Sequence, residues 1–194
     1  MLVFILKKGW KETILNELAI IIMGQSPSSK NYNEIDKGLP LIQGNADIKG
    51  RHSIKRFSTS EITKKINKGD IIMSVRAPVG CIAVASFDSC IGRGVCGIQA
   101  KKIDNKYLYY FLINQENNFE KKAQGSTFTA INSNEVKKIK IIFPEKKEEQ
   151  KQIAEILSAV DNKIDIYKQI KNKLTELKRG LMQDLLSGKI RVNL

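Results

Sequence analysis

A single stripe of apolar side chains constrains this chain more than any other feature. The stripe starts at Ile153, ends at Leu185 and covers 32 residues in nine steps, a mean spacing of about 3.6. This spacing predicts one long amphipathic helix from Glu145 to the neighbourhood of Ser187. Because no later segment is long enough to cover the stripe, we expect it to pack against another chain, in the simplest case a second copy. The stripe residues are Ile153, Ile156, Val160, Ile164, Tyr167, Ile170, Leu174, Leu177, Leu181 and Leu185.

The positive charge of the chain lies mainly in front of this helix. The 194 residues carry a net charge of +13, of which residues 145–194 contribute +3 and residues 1–144 contribute +10. We therefore predict two domains: a basic domain over residues 1–144, and a helix over residues 145–194 for dimerisation and spacing. A basic domain favours a polyanion, because each neutralised phosphate releases condensed counterions. A Lys-rich background composition is the alternative interpretation of the same charge.

The sequence contains no signal for a membrane, export or a metal. No apolar run approaches the ~18 residues needed to cross a bilayer, and the short apolar start Met1–Leu6 is followed by lysines instead of being preceded by them. The cysteines Cys81, Cys90 and Cys96 lack zinc-ligand spacing, and His52 is the only histidine. We expect a cytoplasmic protein with reduced thiols, without a metal or another cofactor.

The first 144 residues predict a strand-rich α/β domain. Trp10–Leu18 suits a strand or a short helix, and short apolar runs between turn residues predict strands at Leu39–Gln43, Ile71–Val75, Cys81–Ala85 and Ile139–Phe143. The second and third of these runs predict a hairpin that carries Arg76 on its loop. One helix capped by Asp104 or Asn105 is expected to extend to Lys122. Its inward side would carry Tyr107, Leu108, Phe111, Leu112 and Phe119.

Motifs that would supply a reaction are missing. Gly92–Gly97 matches G-x-G-x-x-G, but the following Ile98–Ala100 favours a strand, whereas a dinucleotide fingerprint needs a helix there. We interpret Gly92–Gly97 as a loop that exposes Arg93. The sequence has no phosphate-binding G-x-x-x-x-G-K-[ST] loop, no Pro-Asp pair in front of its E-x-K triplets and no Asn/Asp-Pro-Pro-aromatic motif. We therefore predict no catalytic residue.

Several segments, in this order and spacing, resemble the end of a target-recognition domain running into the conserved helix of a type I restriction-modification specificity subunit. They are Gln124–Asn132, Val136–Pro144, Glu148–Ala154 and Leu157–Asp161. The resemblance covers essentially the whole chain. Further matching features are Trp10, the loop Gly24–Pro27, Lys68–Ile71 and the closing Leu185–Ile190.

This resemblance implies half of a specificity subunit. A full subunit of the family contains two recognition domains and two conserved helices, whereas this sequence has one of each. Two chains would restore the full arrangement if their helices formed an antiparallel coiled coil, with a second copy or a different half-subunit as the partner. Met1 and the complete closing segment favour a natural half-subunit over a fragment. A helix of ~63 Å would separate two domains by more than one ~34 Å turn of DNA.

The resemblance also implies the partners. They are double-stranded DNA, modification subunits that methylate adenine with S-adenosylmethionine, and restriction subunits that bind through them and cut DNA using ATP. The chain itself is then a non-catalytic specificity subunit without a cofactor. A stand-alone DNA-binding coiled-coil protein and the recognition module of a nuclease or methyltransferase are the alternatives. Weak binding that is indifferent to sequence would favour a structural or regulatory coiled-coil protein whose charge is incidental, and turnover by the isolated chain would favour a nuclease or methyltransferase of its own.

Candidate DNA contacts follow from side-chain chemistry. Arg matches guanine and Asn or Gln matches adenine in the major groove, whereas Lys, Ser and Thr hold phosphates. Base contacts are expected from Gln43, Asn45, Arg76 and Arg93. Phosphate contacts are expected from Ser26, Ser28, Lys30, Arg51, Lys55, Arg56, Ser126 and Thr127. Each has a structural alternative: the amides cap a turn, Arg76 pairs with Asp70 or Asp88, or Gly125–Thr127 only ends a helix.

Overall fold

The computed structural model describes residues 8–124 and 130–192. The chain divides into two compact units, Met1–Gln152 and Ile153–Leu194. Within the described part, no helix combines the length and the apolar content needed to span a bilayer.

The first unit is built mainly from short strands. The described strands are β1 (Trp10–Ile14), β2 (Ala19–Met23), β3 (Tyr32–Asn33), β4 (Leu39–Ile42), β5 (Ile48–Lys49), β6 (His52–Ser53), β7 (Phe57–Thr59), β8 (Lys65–Ile66), β9 (Ile71–Ser74), β10 (Ile82–Val84), β11 (Ser89–Ile91), β12 (Val95–Ala100) and β13 (Lys140–Pro144). The described helices are α1 (Leu15–Leu18), α2 (Asn105–Asn114), α3 (Glu116–Gln124), α4 (Ser133–Lys137) and α5 (Lys147–Leu186).

These strands form three sheets. Six strands pair in the order β2-β12-β9-β10-β6-β5, five pair in the order β3-β7-β4-β11-β8, and β1 pairs with β13. Most pairs are antiparallel, whereas β6–β10 and β4–β11 are parallel. The parallel register of β4 and β11 has a consequence for the site: both strands end at the same edge of their sheet, so the loops that follow them lie side by side.

The core of the first unit lies between the two large sheets. Ile42, Ile66 and Ile91 come from the five-stranded sheet, and Ile72 and Val95 come from the six-stranded one, and all five are fully buried in one cluster. Burying five such side chains supplies about 1.5–3 kcal/mol each against the unfolded chain. This core therefore packs the two sheets against each other and fixes the loops at their edges.

The predicted hairpin is present. Ile82 pairs with Met73 and Val84 pairs with Ile71, so β9 and β10 run antiparallel with Arg76 on the connecting loop. The predicted fold class, a strand-rich domain followed by a long helix, is confirmed. The strands β5, β6 and β8 have only two residues each, and the sequence does not predict them.

The predicted single helix after Asp104 is wrong, because the structure has two helices there. Asp104 caps α2 by accepting the backbone N–H of Tyr107 at 2.9 Å, as expected. The first helix ends at Asn114, and α3 starts at Glu116, whose carboxylate accepts the backbone N–H of Ile82 at 2.7 Å and pairs with Arg51. These side-chain bonds to other elements hold Glu116 at the start of a new helix.

Helix α5 contains 40 residues, which corresponds to about 60 Å. Its first turn belongs to the first unit through the buried Gln150. The Gln150 side chain accepts the backbone N–H of Asp104 at 2.8 Å and donates to the carbonyl of Pro144 at 2.7 Å. From Ile156 to Leu185 the predicted stripe is exposed, with Tyr167 at 69% and Leu174 at 59% of their full accessible surface. The antiparallel coiled coil stays a prediction.

Candidate nucleic-acid interface

A groove of about 480 Å³ lies on the first unit where several loops meet. We call it the polar groove. Its lining residues are Ser26, Pro27, Ser29, Tyr32, Gln43, Gly44, Asn45, Arg76, Ala77, Arg93 and Gly94. The set includes all four predicted base-contacting residues and Ser26, one of the predicted phosphate contacts. Ser26 and Arg93, which are 67 positions apart in sequence, thus share one surface.

Main-chain hydrogen bonds between the loops build this groove. The N–H of Gly92 donates to the carbonyl of Ile42 at 2.8 Å, and the N–H of Val75 donates to Gly94 at 2.9 Å. The N–H of Gly24 donates to Val95 at 3.1 Å. The loops that follow β2, β4, β9 and β11 are therefore held against one another by their backbones, so their side chains are presented from a fixed framework.

Gly94 of the G-x-G-x-x-G match and Gly24 allow the loops to approach this closely. A Cβ on Gly94 would lie 2.1 Å from the carbonyl oxygen of Gln43, and one on Gly24 would lie 2.1 Å from that of Gly92. Neither distance is compatible with a side chain, because the atom in the way is backbone. Packing between loops therefore explains the G-x-G-x-x-G match at Gly92–Gly97. The strand β12, and not a helix, follows its first two glycines, and Arg93 is exposed as predicted.

Ser26 orients Arg93. Its hydroxyl oxygen accepts the backbone N–H of Arg93 at 3.2 Å and the side-chain Nε–H at 3.4 Å. The guanidinium is therefore held by a neutral partner. Ser26 was predicted to contact phosphate, and the structure places it where it also positions a predicted base contact.

The buried carboxylate of Asp47 fixes the loop that carries Gln43 and Asn45. Asp47 is only 4% exposed. Its carboxylate accepts the backbone N–H groups of Gln43 at 2.7 Å and Gly44 at 3.3 Å, and it pairs with Arg56 at 3.5 Å. Arg56, predicted to contact phosphate, also lies 5.7 Å from the centre of the Phe57 ring. Sequence reasoning missed Asp47, since nothing in the pattern distinguishes it from a surface acid.

Arg76 is exposed on the β9–β10 loop and lines the polar groove. The two alternative partners named from the sequence are engaged elsewhere: Asp70 accepts from Gln99 at 2.8 Å, and Asp88 pairs with Lys65 at 2.8 Å. Among the described residues, no carboxylate lies within ion-pair distance of Arg76. Its guanidinium is therefore available to a ligand.

The other predicted contacts that the structure describes are not part of the groove lining. Arg51 pairs with Glu116, and this hydrogen bond raises the pKa of the Arg51 guanidinium. Lys55 pairs with Asp36 at 2.6 Å. Ser28 and Lys30 lie beside the groove, near Glu61. Ser126 and Thr127 lie outside the described residues.

Glu61 holds the loop that forms one wall of the groove. Its carboxylate accepts the backbone N–H of Ser28 at 2.9 Å and the side chain of Asn31 at 2.7 Å. These two bonds, with the nearby Lys30, lower the pKa of the Glu61 carboxyl. The carboxylate is therefore ionised at neutral pH and keeps Ser29 and Tyr32 in place on the groove wall.

Comparison with known proteins gives the family. The type I restriction modification DNA specificity domain matches residues 7–176. This chain belongs to that family. It is 40% identical over 174 residues to a putative type I restriction enzyme MjaX specificity subunit from Methanocaldococcus jannaschii. The matched residues cover 89% of this chain and 41% of the relative. The resemblance predicted from the sequence is confirmed.

Solved structures of the specificity-subunit family agree with the fold. One of them comes from a study of the structural basis of complex assembly and conformational transition of the type I restriction-modification system. It matches with a TM-score of 0.79 and 35% identity, and the match covers 90% of this chain and 44% of that chain. The HsdS subunit from Thermoanaerobacter tengcongensis matches with a TM-score of 0.76 at 32% identity over 92% of this chain and 45% of that one. The chain thus spans less than half the length of these relatives.

Two polar residues that the sequence does not predict as DNA contacts also line the polar groove of this specificity domain. Tyr32 and Ser29 line it, and the Tyr32 hydroxyl donates to the carbonyl of Pro27 at 3.2 Å. The signal in the sequence that could have identified Tyr32 is an aromatic residue soon after the Gly24–Pro27 loop. In the described part of the chain, no group of three or more His, Cys, Asp or Glu side chains is placed to hold a metal ion.

Proposed function

We propose that this chain is the DNA sequence-recognition subunit of a type I restriction-modification system and directs separate modification and restriction subunits to a bipartite site. One observation carries the proposal: Gln43, Asn45, Arg76 and Arg93 converge on the polar groove. Two amides and two guanidiniums are the side-chain types that discriminate bases in the major groove. Their loops are braced by the backbone, which favours recognition by a preorganised surface.

The proposed subunit supplies recognition and no chemistry. Methylation of adenine belongs to the modification subunits, and cleavage belongs to restriction subunits that bind through them. The net +10 of residues 1–144 provides attraction for the DNA backbone. We place this activity in the cytoplasm, where the three free cysteines would remain reduced.

The test is a selection from random double-stranded DNA with the full chain, alone and with its modification subunits. We expect a shared sequence motif, bound at least ~100-fold more tightly than scrambled DNA at physiological salt. Arg76→Ala should relax the preference at one base pair and cost about 1–3 kcal/mol against the selected site. Binding without any shared motif would contradict the proposal. Turnover by the isolated chain with Mg²⁺ and S-adenosylmethionine would instead make it an enzyme.

The working unit is proposed to be a pair of chains joined through α5. The apolar stripe is exposed along the helix, with Ile164 at 45% and Leu181 at 47%. A single chain also spans less than half the length of its relatives, and pairing with a second copy or another half-subunit would bring a second recognition domain into the same assembly. A helix of about 60 Å is long enough to separate two recognition domains by more than one turn of DNA.

A further inference from the structure

The polar groove has an uneven chemical character. Arg76 and Arg93 are its charged lining residues among those described, and no carboxylate is part of the described lining. The nearest acid of the same loops, Asp47, is buried and bound to Gln43, Gly44 and Arg56. The charged groups that face a ligand are therefore hydrogen-bond donors only.

Arg93 differs from Arg51 and Arg56, the arginines of the first unit that are not part of the groove lining. Arg51 and Arg56 are paired with carboxylates, which neutralise their charge and occupy their donors. Arg93 is held through its backbone N–H and its Nε by the neutral oxygen of Ser26. This arrangement limits the motion of the side chain and leaves the positive charge and the two terminal amino groups for a ligand.

The Ser26 hydroxyl adds a donor of its own. Its oxygen already accepts two hydrogen bonds from Arg93, so its proton has to be donated elsewhere. Of the four base edges in the major groove, only guanine presents two acceptors, O6 and N7, without a donor. Cytosine presents a donor there, and a guanidinium has no acceptor for it.

Taking the proposed function as its basis, we infer that the polar groove recognises guanine from the major-groove side, with Arg93 as the contacting residue and Ser26 as its positioning residue. The planar fork of Arg93 matches O6 and N7 together, which a lysine does not do. Gln43 and Asn45 remain available for a neighbouring adenine. Each recognised half-site then contains at least one guanine that is contacted at N7.

Modified bases test this inference on the duplex obtained from the selection, with the full chain. Each guanine is replaced in turn by 7-deazaguanine, which lacks N7, and by inosine, which keeps N7 and O6 but lacks the 2-amino group in the minor groove. We expect 7-deazaguanine to weaken binding about tenfold at one position of each half-site. Inosine at that position should change affinity less than about twofold, because the bidentate major-groove contact is kept.

Variants connect the effect to the residue. Arg93→Lys keeps the charge and removes the fork, so the modified and unmodified duplexes should bind equally. Ser26→Ala should reduce, without abolishing, the difference between the two duplexes. Lys101→Ala is the matched control, since this exposed lysine lies beyond the other end of β12, about 20 Å from the groove. It should leave the 7-deazaguanine effect unchanged.

The outcomes separate this inference from the proposed function. A selected motif whose guanines all tolerate 7-deazaguanine would overturn guanine recognition while leaving sequence-specific binding intact. The same holds if Arg93→Lys binds like the unaltered chain, because Arg93 would then contact a phosphate. A 7-deazaguanine effect that persists in Arg93→Lys would overturn the assignment to this residue. Only the absence of any selected motif counts against the proposed function itself.

Discussion

At the residue scale, carboxylate pairing divides the basic side chains of the first unit into two groups. Arg51, Lys55 and Arg56 have acidic partners, whereas Arg76 and Arg93 are free of carboxylates among the described residues. A guanidinium without a carboxylate keeps its full charge for a ligand, and in Arg93 the two terminal amino groups remain as donors. This difference makes Arg76 and Arg93 the stronger candidates for base contact.

Arg56 and Lys55 provide the residue-scale prediction. From the sequence, both would contact phosphate, and their loss would weaken binding to all DNA alike. The pairing of Arg56 with the buried Asp47 changes the expected result, because Asp47 fixes the backbone of Gln43 and Gly44. Arg56→Ala should lower the preference for the selected motif over scrambled DNA by about fivefold or more.

Lys55→Ala is the comparison variant. Lys55 and Asp36 are both solvent-exposed, so their pair contributes little to structure. Affinity for selected and scrambled DNA should fall by the same factor, and the dependence of binding on salt should become shallower. Fluorescence anisotropy with both duplexes at several salt concentrations measures this. An Arg56→Ala loss that is equal on both duplexes would show that Arg56 acts on the backbone of DNA.

The base-contacting candidates could be predicted because polar residues on loops after apolar runs carry a local signal. The role of Asp47 could not, since its burial arises from chain segments that meet only in the folded state. The same limit applies to Ser26, whose bond to Arg93 joins residues 67 positions apart. Tertiary contacts, and not local pattern, assign these supporting roles.

At the element scale, the short apolar runs between turn residues gave correct strands, as for β4 and β9. Strands of two residues, such as β5 and β8, are too short for any period to appear. The division into α2 and α3 could not be predicted from the sequence pattern either, because it depends on the bonds of the Glu116 side chain to other elements.

Tyr107 connects two elements and gives the element-scale prediction. Its hydroxyl, on α2, donates to the carbonyl of Ile142 in β13 at 2.8 Å. Burial, and secondarily the charge of Glu149, raises the pKa of Tyr107 to about 12. The Tyr107→Phe variant leaves that carbonyl without this donor and should lose about 1 kcal/mol of unfolding free energy at pH 8.

The pH dependence follows from the sign of the shift. A raised pKa in the folded state means that the contribution of Tyr107 is fully present below pH 10, its ordinary pKa, and is lost as the pH rises towards 12. The difference between the unaltered chain and Tyr107→Phe should therefore shrink between pH 10 and 12 in urea unfolding. A difference that grows with pH would contradict the assignment.

At the scale of the whole molecule, the proposed working unit is two chains joined through the stripe of α5. Replacing both Ile164 and Leu174 by Asp places charges in the centre of the stripe, where a paired helix would bury them. Sedimentation equilibrium should then give a folded monomer, whereas the unaltered chain should give a dimer. Circular dichroism checks that the helix persists in the variant.

The matched control adds the same two charges to the other side of the helix. Asn162 and Asn172 each lie two positions before a stripe residue, about 200° around the helix axis. Asn162→Asp with Asn172→Asp should therefore leave the dimer intact. A dimer that survives the stripe substitutions would show that another surface joins the chains.

The most direct test of sequence recognition by the polar groove is methylation mapping in a host that expresses this chain with its modification subunits. We expect methylated adenines in a bipartite motif with two identical inverted halves, and we expect Arg93→Lys to change which motif is methylated. Unequal halves would indicate a mixed pair of half-subunits. A motif identical for the unaltered chain and for variants with Arg76 and Arg93 both replaced would contradict recognition through this groove.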